Sequence, residues 1–296
     1  MLSVLIPSYH YNTFPLVKEI QNQCITQGID FEILCQDDAS NSEINLENQK
    51  INQFPNCYFF ENKVNLGRGR NINSLALRSK HKWLLIMDCD TFPADAFFIK
   101  NYVSEIKNNT AKVIFGGIVY SDTKPDKTSL LRWVYGINRE AICLKKRIKS
   151  PYQTSLSSNL LILKEVFTII NFNENIVKYG YEDVVFMNRL KENSIQIHHI
   201  QNTTYHLNLE TSDVFLKKIK ESLESLSLIS DMKLLNDDDS RILKTYKIIK
   251  MLYLHHFFCA LFTYNEEKLE KNLLSNSPKM LILDLYKLGY FCKLMN

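Results

Sequence analysis

Asp88 and Asp90 stand two residues apart, directly after the apolar run Trp83–Met87. In a turn at a strand end, two such carboxylates can converge on one hard cation. Ions of the Mg²⁺ or Mn²⁺ type take oxygen ligands and usually keep substrate phosphates in their shell. An ordinary strand-end turn, where Asp is common, is the plainer account. A second acidic pair, Asp37-Asp38, follows the apolar segment Phe31–Gln36 and leads into Ala39-Ser40. A carboxylate there can accept from a nucleobase N–H or a ribose hydroxyl, and Asp and Ser serve equally well as helix caps. In Asn65-Leu66-Gly67-Arg68-Gly69-Arg70-Asn71, two glycines and two arginines open a helix. They suit a diphosphate at a helix N-terminus, or a flexible loop with solvated arginines. No third glycine follows, so this is not a dinucleotide fingerprint.

Tyr179-Gly180-Tyr181-Glu182-Asp183 places two carboxylates in the first turn of a predicted helix. They can stabilise the helix dipole, or act as a general base with an acceptor-binding neighbour. His206, closing the segment NTTYH, can serve as a neutral-imidazole ligand. His198-His199 and His255-His256 have no comparable setting and read as structural.

These residues need elements that bring them together. Leu2–Pro7, Phe31–Gln36, Asn56–Glu61, Trp83–Met87 and Lys112–Val119 read as strands. Helical spacing covers Phe14–Gln27, Gly69–Ser79 and Phe97–Asn108. This alternation predicts an α/β fold with a mostly parallel sheet flanked by helices. Ligands of such sheets bind outside the carboxyl ends of the strands, where Pro7-Ser8-Tyr9, Asp37-Asp38 and Asp88-Cys89-Asp90 should share one edge. Residues 121–158 show few strong periods. Further strands are expected at Leu160–Leu163, Ile195–His199 and Thr203–His206, with a helix over Tyr181–Asn193. From Asp213 the chain reads as helical, with stretches near 213–233, 241–264 and 278–295.

The 296 residues, 45% hydrophobic and 23% charged, suit one large domain or a domain with an appendage. The net charge of +4 gives the chain no nucleic-acid signature. The charge is uneven: residues 241–296 hold nine Lys/Arg against four acids. Seven scattered cysteines without a C-x-x-C pair read as free, mostly buried thiols of a reducing compartment. The first residues lack a basic n-region and read directly as a strand, and no apolar run is long enough to span a bilayer. The expected location is the cytoplasm.

In combination, SVLIPSYHYN, EILCQDDAS, NLGRGRN, LLIMDCDTFP and GYEDVVFMNRL resemble the family 2 inverting glycosyltransferases of the GT-A fold, over roughly residues 1–210. The last segment is similar to the G-x-E-D stretch of galactosyltransferase-like members. The resemblance implies a Rossmann-like catalytic domain over 1–210 and a helical C-terminal region over 211–296. It implies that Pro7, Ser8 and Tyr9 line the nucleotide pocket and that Asp38 accepts from the base. Arg70 would lie near the donor, and Asp88 would contact the ribose or the metal shell. Asp90 and His206 would ligate Mn²⁺ or Mg²⁺. Asp183 would be the base, with Glu182 and Tyr181 binding the acceptor. Where the family usually has Gly, this chain has Ala39. The implied reaction moves a sugar from a UDP-sugar to a hydroxyl of a glycan or lipid-linked glycan, as in bacterial surface polysaccharide synthesis.

Three other readings compete, one of them a metal-dependent hydrolase, which would need more His or Asp ligands within the first 120 residues, where His10 and His81 are the only histidines. A nucleotidyltransferase making nucleotide-sugars would carry a Gly-rich motif with a basic residue near the first strand, where this chain has PSYHYN. A non-catalytic glycan- or nucleotide-binding relative would be expected to lack Asp90 or Asp183. Finally, 241–264 mixes Lys/Arg with large apolar residues, which suits peripheral contact with the inner membrane face, packing on the catalytic domain, or a homodimer interface.

Overall fold

Every residue of the first, second and fourth strands is buried, as a parallel sheet covered on both faces requires. The computed structural model describes residues 1–296. Strand β1 (Leu2–Ser8), helix α1 (Phe14–Thr26), β2 (Phe31–Asp37), the single turn α2 (Asn45–Asn48), β3 (Cys57–Glu61), α3 (Arg68–Arg78) and β4 (Trp83–Met87) follow the predicted alternation. Next come β5 (Thr91–Pro93), α4 (Phe98–Asn108), β6 (Val113–Phe115), β7 (Ile118–Val119), α5 (Leu130–Tyr135) and α6 (Leu144–Lys149). They are followed by β8 (Asn159–Leu163), α7 (Lys164–Ile169), α8 (Glu182–Glu192), β9 (Ile197–His199) and β10 (Thr204–His206). The chain ends in α9 (Ser212–Asp231), α10 (Arg241–Met251), α11 (His255–Leu273) and α12 (Met280–Leu294).

Seven strands form one sheet in the order β3-β2-β1-β4-β8-β6-β9, with only β8 antiparallel to its neighbours. The chain runs outward from β1 through β2 to β3, then returns to lay β4 on the other side of β1. That reversal opens a crevice at the carboxyl ends of β1 and β4. The register pairs Ser8 with Asp37 and Leu5 with Ile86, so the three polar strand ends do share one edge.

Two expected elements are divided. The strand foreseen over Lys112–Val119 breaks at Gly116-Gly117. A Cβ on Gly116 would stand 2.2 Å from Asn202 O, and Gly117 has φ +94°, so the chain turns a corner there. Beyond it, β7 joins β10 and β5 in a separate three-stranded sheet. The helical stretch foreseen over 241–264 is two helices, because Tyr253 takes a left-handed φ of +58° and ends the first. Residues 121–158, expected to be irregular, supply α5, α6 and a π-turn over Gly136–Glu140.

The main core lies around the large sheet. A second apolar cluster joins α9–α12 to Leu131 of α5 and Val185 of α8, so the C-terminal helices pack against the elements that carry the acidic motif. All seven cysteines are free thiols, with Cys24, Cys35, Cys57 and Cys292 buried.

Candidate active site

The turn after β4 is built by Thr91, whose N–H and hydroxyl both donate to Asp88 O, at 3.1 and 2.8 Å. Strand β5 then pairs antiparallel with β10, setting His206 opposite Thr91. This pairing brings Asp90 Oδ2 within 3.5 Å of His206 Nε2. Burial, with Arg132 nearby, pushes the His206 imidazole down to about 4, so the ring is neutral at physiological pH. Burial also pushes the Asp90 carboxyl up, with Arg132 opposing. One carboxylate oxygen and one neutral imidazole nitrogen on a common side suit a borderline cation such as Mn²⁺. They form a pair rather than a closed cage, since no third His, Cys, Asp or Glu joins them.

The acidic motif is placed by its backbone. Gly180 (φ +96°) and Tyr181 (φ +65°) are consecutive left-handed residues, which turn the chain sharply into α8. Gly180 lies hard against α9: a Cβ there would be 2.5 Å from Ser222 Cβ, and Ser225 Oγ donates to Gly180 O at 3.0 Å. Asp183 Oδ1 accepts from Ser157 Oγ at 2.5 Å and from Arg68 Nη1 at 3.0 Å. Glu182 is partly buried, with Oε2 buried and unpartnered, and desolvation together with Asp183 pushes its carboxyl up to about 7.

Arg68 connects the two acidic groups. Besides Asp183, its Nε and Nη2 reach Asp88 Oδ1 at 3.0 and 2.5 Å, and Nη1 lies 3.9 Å from Glu182 Oε1. Burial opposes the charge, but these three carboxylates outweigh it and hold the guanidinium protonated well above its usual range. Burial pushes the Asp88 carboxyl up while Arg68 pulls it down. Of the two arginines in NLGRGRN, the family resemblance points to Arg70, and it is Arg68 that reaches the acidic groups. The structure places Arg70 elsewhere, its guanidinium donating to Glu174 O. Both arginines lie in one helical turn, and only the direction in which α3 packs separates them.

Asp38 is buried and tied down. Its Oδ1 accepts from Asn62 Nδ2 and Leu66 N, and its Oδ2 from Gly67 N, at 2.8–2.9 Å. Asp38 therefore anchors the start of α3, and through it the position of Arg68. Asp37 caps its own turn by accepting from Ser40 N and Ser40 Oγ. Ala39 holds φ +59°, so the left-handed turn persists without Gly. Ser8 is buried at the end of β1, and Tyr9 beyond it is exposed, beside the crevice mouth. Two surface cavities of about 470 and 480 Å³ lie elsewhere, one near Met1 and Trp83, the other near Asn173 and Lys233. Neither includes a site residue.

The S. aureus TarS fragment bound to UDP-GlcNAc is similar in fold (TM-score 0.51, 17% identity, 76% of this chain). This chain spans 66% of that fragment, just under two thirds, and 39% of a longer TarS structure. Mannosyltransferase PcManGT from Pyrobaculum calidifontis, solved with GDP-Man and Mn²⁺, aligns over 98% of this chain and 84% of its own (TM-score 0.57, 11% identity). Glucosyl-3-phosphoglycerate synthase from Mycobacterium tuberculosis, solved with Mn²⁺, UDP and glucosyl-3-phosphoglycerate, aligns over 80% and 81% (TM-score 0.53, 14% identity). No curated protein matches the chain. Residues 3–167, more than half of the sequence, match the model of Glycosyl transferase family 2, and the chain belongs to that family.

Proposed function

We propose that the protein is an inverting, metal-dependent hexosyltransferase that moves a sugar from a UDP-sugar to a hydroxyl of a glycan or lipid-linked glycan. One observation carries the reading. The Asp90–His206 pair and the Asp183–Glu182 pair meet at one sheet edge, with Arg68 joining Asp88 to Asp183. Donor chemistry and acceptor chemistry thus share one cleft. The nucleotide-sugars and Mn²⁺ held by the similar structures agree with it.

Asp90 Oδ2 and His206 Nε2 would hold Mn²⁺ or Mg²⁺, which when bound neutralises the charge developing on the departing diphosphate. Pro7, Ser8 and Tyr9 would line the nucleoside pocket, with Asp38 beside the base. Asp88 would face the ribose. The acceptor hydroxyl, oriented by Glu182, attacks the anomeric carbon from the face opposite the diphosphate, whereas the Tyr181 ring packs against the C-terminal helices. Asp183, held by Ser157 and Arg68, takes the hydroxyl proton as the new bond forms. A single displacement inverts the anomeric configuration. The G-x-E-D segment favours a galactosyl-type acceptor arrangement.

We assign the catalytic unit to 1–210, with the helices of 211–296 buttressing it through Gly180. Free thiols fit a cytoplasmic enzyme, and an exposed apolar strip on α10–α11 fits attachment to the inner membrane face. No helix is long and apolar enough to cross a membrane. Calorimetric titration of UDP with and without Mn²⁺, for wild type and Asp90→Ala, tests the donor site. Metal-dependent binding that disappears in the variant is expected. Absence of binding by every nucleotide would sink the transferase reading.

A further inference from the structure

The His206 ring is held by a cluster that the proposed reaction leaves unused. Tyr120 stacks on it, with centroids 5.2 Å apart and planes 15° from parallel. The Tyr120 hydroxyl donates to Glu140 Oε2. Arg132 Nη1 and Nη2 each donate to the same Glu140 oxygen at 3.1 Å, and Nη2 also reaches His206 Nε2 at 3.1 Å. The guanidinium lies between the rings of Tyr120 and Phe215, 5.4 and 5.1 Å from their centroids. Glu140 is aimed inward by the π-turn, and that turn approaches Tyr120 closely because residue 136 is Gly: a Cβ there would be 2.3 Å from the Tyr120 ring.

A guanidinium has donors and no acceptor. His206 Nε2 must therefore be the lone-pair nitrogen, and the ring proton sits on Nδ1, which is buried without a partner. Nε2 is also the nitrogen facing Asp90. One lone pair cannot accept an N–H and coordinate a cation at the same time. We propose that Arg132 is a placeholder for the divalent cation, occupying His206 Nε2 until the cation displaces it, while Glu140 retains the guanidinium. This rests on the reading of Asp90 and His206 as the metal pair. Arg132 thereby presets the tautomer that coordination needs and keeps a buried site polar and compensated before loading.

The sign of one measurement decides the matter. Removing a residue that merely supports a metal ligand weakens metal binding, commonly by about 10–100-fold. Removing a placeholder tightens it, because a competing donor and a like charge leave together. Mn²⁺ is titrated without nucleotide into wild type, Arg132→Met and Arg132→Gln, with the free ion followed by electron paramagnetic resonance. We expect Mn²⁺ to bind both variants more tightly, by about tenfold or more, the equivalent of one pKa unit of lost repulsion. Unchanged or weaker binding in the variants, with wild-type binding abolished by Asp90→Ala, would overturn the placeholder alone. Wild-type binding unaffected by Asp90→Ala would overturn the metal pair and the placeholder together. If neither Arg132 variant folds, ¹⁵N-histidine spectra of the metal-free wild type provide the test, with His206 assigned by its loss in His206→Gln. The Nδ1–H tautomer is expected, and an Nε2–H tautomer overturns the proposal.

Discussion

Arg68 Nη1 donates to Asp183 Oδ1 at 3.0 Å, joining the first turn of α3 to the first turn of α8 across 115 residues of chain. The same guanidinium grips Asp88, so one cation compensates carboxylates from both halves of the cleft. Breaking a buried pair by removing one partner strands the other charge. Arg68→Gln should cost about 2–4 kcal/mol in urea unfolding, the lower part of the range reflecting partial exposure of the site. Adding Asp88→Asn should return part of that loss. An Arg68→Gln protein of wild-type stability would show the bridge to be idle.

Glu182 gives the site a pH dependence. Burial, then Asp183, raises its carboxyl from 4.5 to about 7. Below about pH 4.5 folded and unfolded chains both hold this proton, and between there and about 7 the unfolded chain has released it while the folded one has not. Stability is therefore lost as pH rises through this window. Glu182→Gln should match wild type at the acid end and gain on the order of 2–3 kcal/mol by neutral pH. Parallel thermal or urea unfolding across that range measures it, and a pH-independent difference would contradict the assignment.

Gly180 is required twice, by its φ of +96° and by its contact with Ser222. Gly180→Ala should destabilise the protein by about 2–4 kcal/mol through strain and overpacking. It should also reduce sugar transfer, because Glu182 and Asp183 begin at this turn. Ser222→Gly should recover part of the packing loss and none of the backbone strain. Wild-type melting and turnover in Gly180→Ala would show that α9 does not hold the motif in place.

The strip on α10–α11 should bind anionic bilayers. Tyr253 is 87% exposed, Phe257 61% and Tyr264 89%, with Leu261 and Met251 beside them. Residues 241–265 contain four basic side chains and no acidic one. Lys244 and Lys247 pair with Asp238 and Asp237, which leaves Arg241 and Lys250 for lipid headgroups. Aromatic and aliphatic side chains beside cations are the composition of interfacial helices. Co-sedimentation should be strong with phosphatidylglycerol vesicles and weak with phosphatidylcholine. It should fall in a Tyr253→Ser/Phe257→Ser/Leu261→Ser variant whose UDP affinity is unchanged. Dimerisation lost in that variant, with no vesicle binding by wild type, would assign the strip to a second copy of the chain.

The strand-end positions were legible in the sequence because apolar runs of strand length end abruptly in Ser8, Asp37 and Asp88, and parallel pairing must bring such ends to one edge. The same logic exposed the acidic pair at the start of α8, where a glycine turn precedes the helix. What the sequence could not convey was partnership across distance. Arg68 and Arg70 occupy one helical turn, and only the packing of α3 sends the first to the carboxylates and the second to Glu174. The meeting of Asp90 with His206 depends on the register of β5 against β10, two three-residue strands too short to carry a pattern. Arg132 and Glu140 lie in the stretch without strong periodicity, on α5 and on the π-turn after it, and Tyr120 directly follows the two-residue strand β7. Local chemistry and periodicity determined which elements form and where the polar ends lie. Close-packed, long-range contacts decided which side chains share the cleft, because several partners of the same type compete for each buried charge and only burial selects among them.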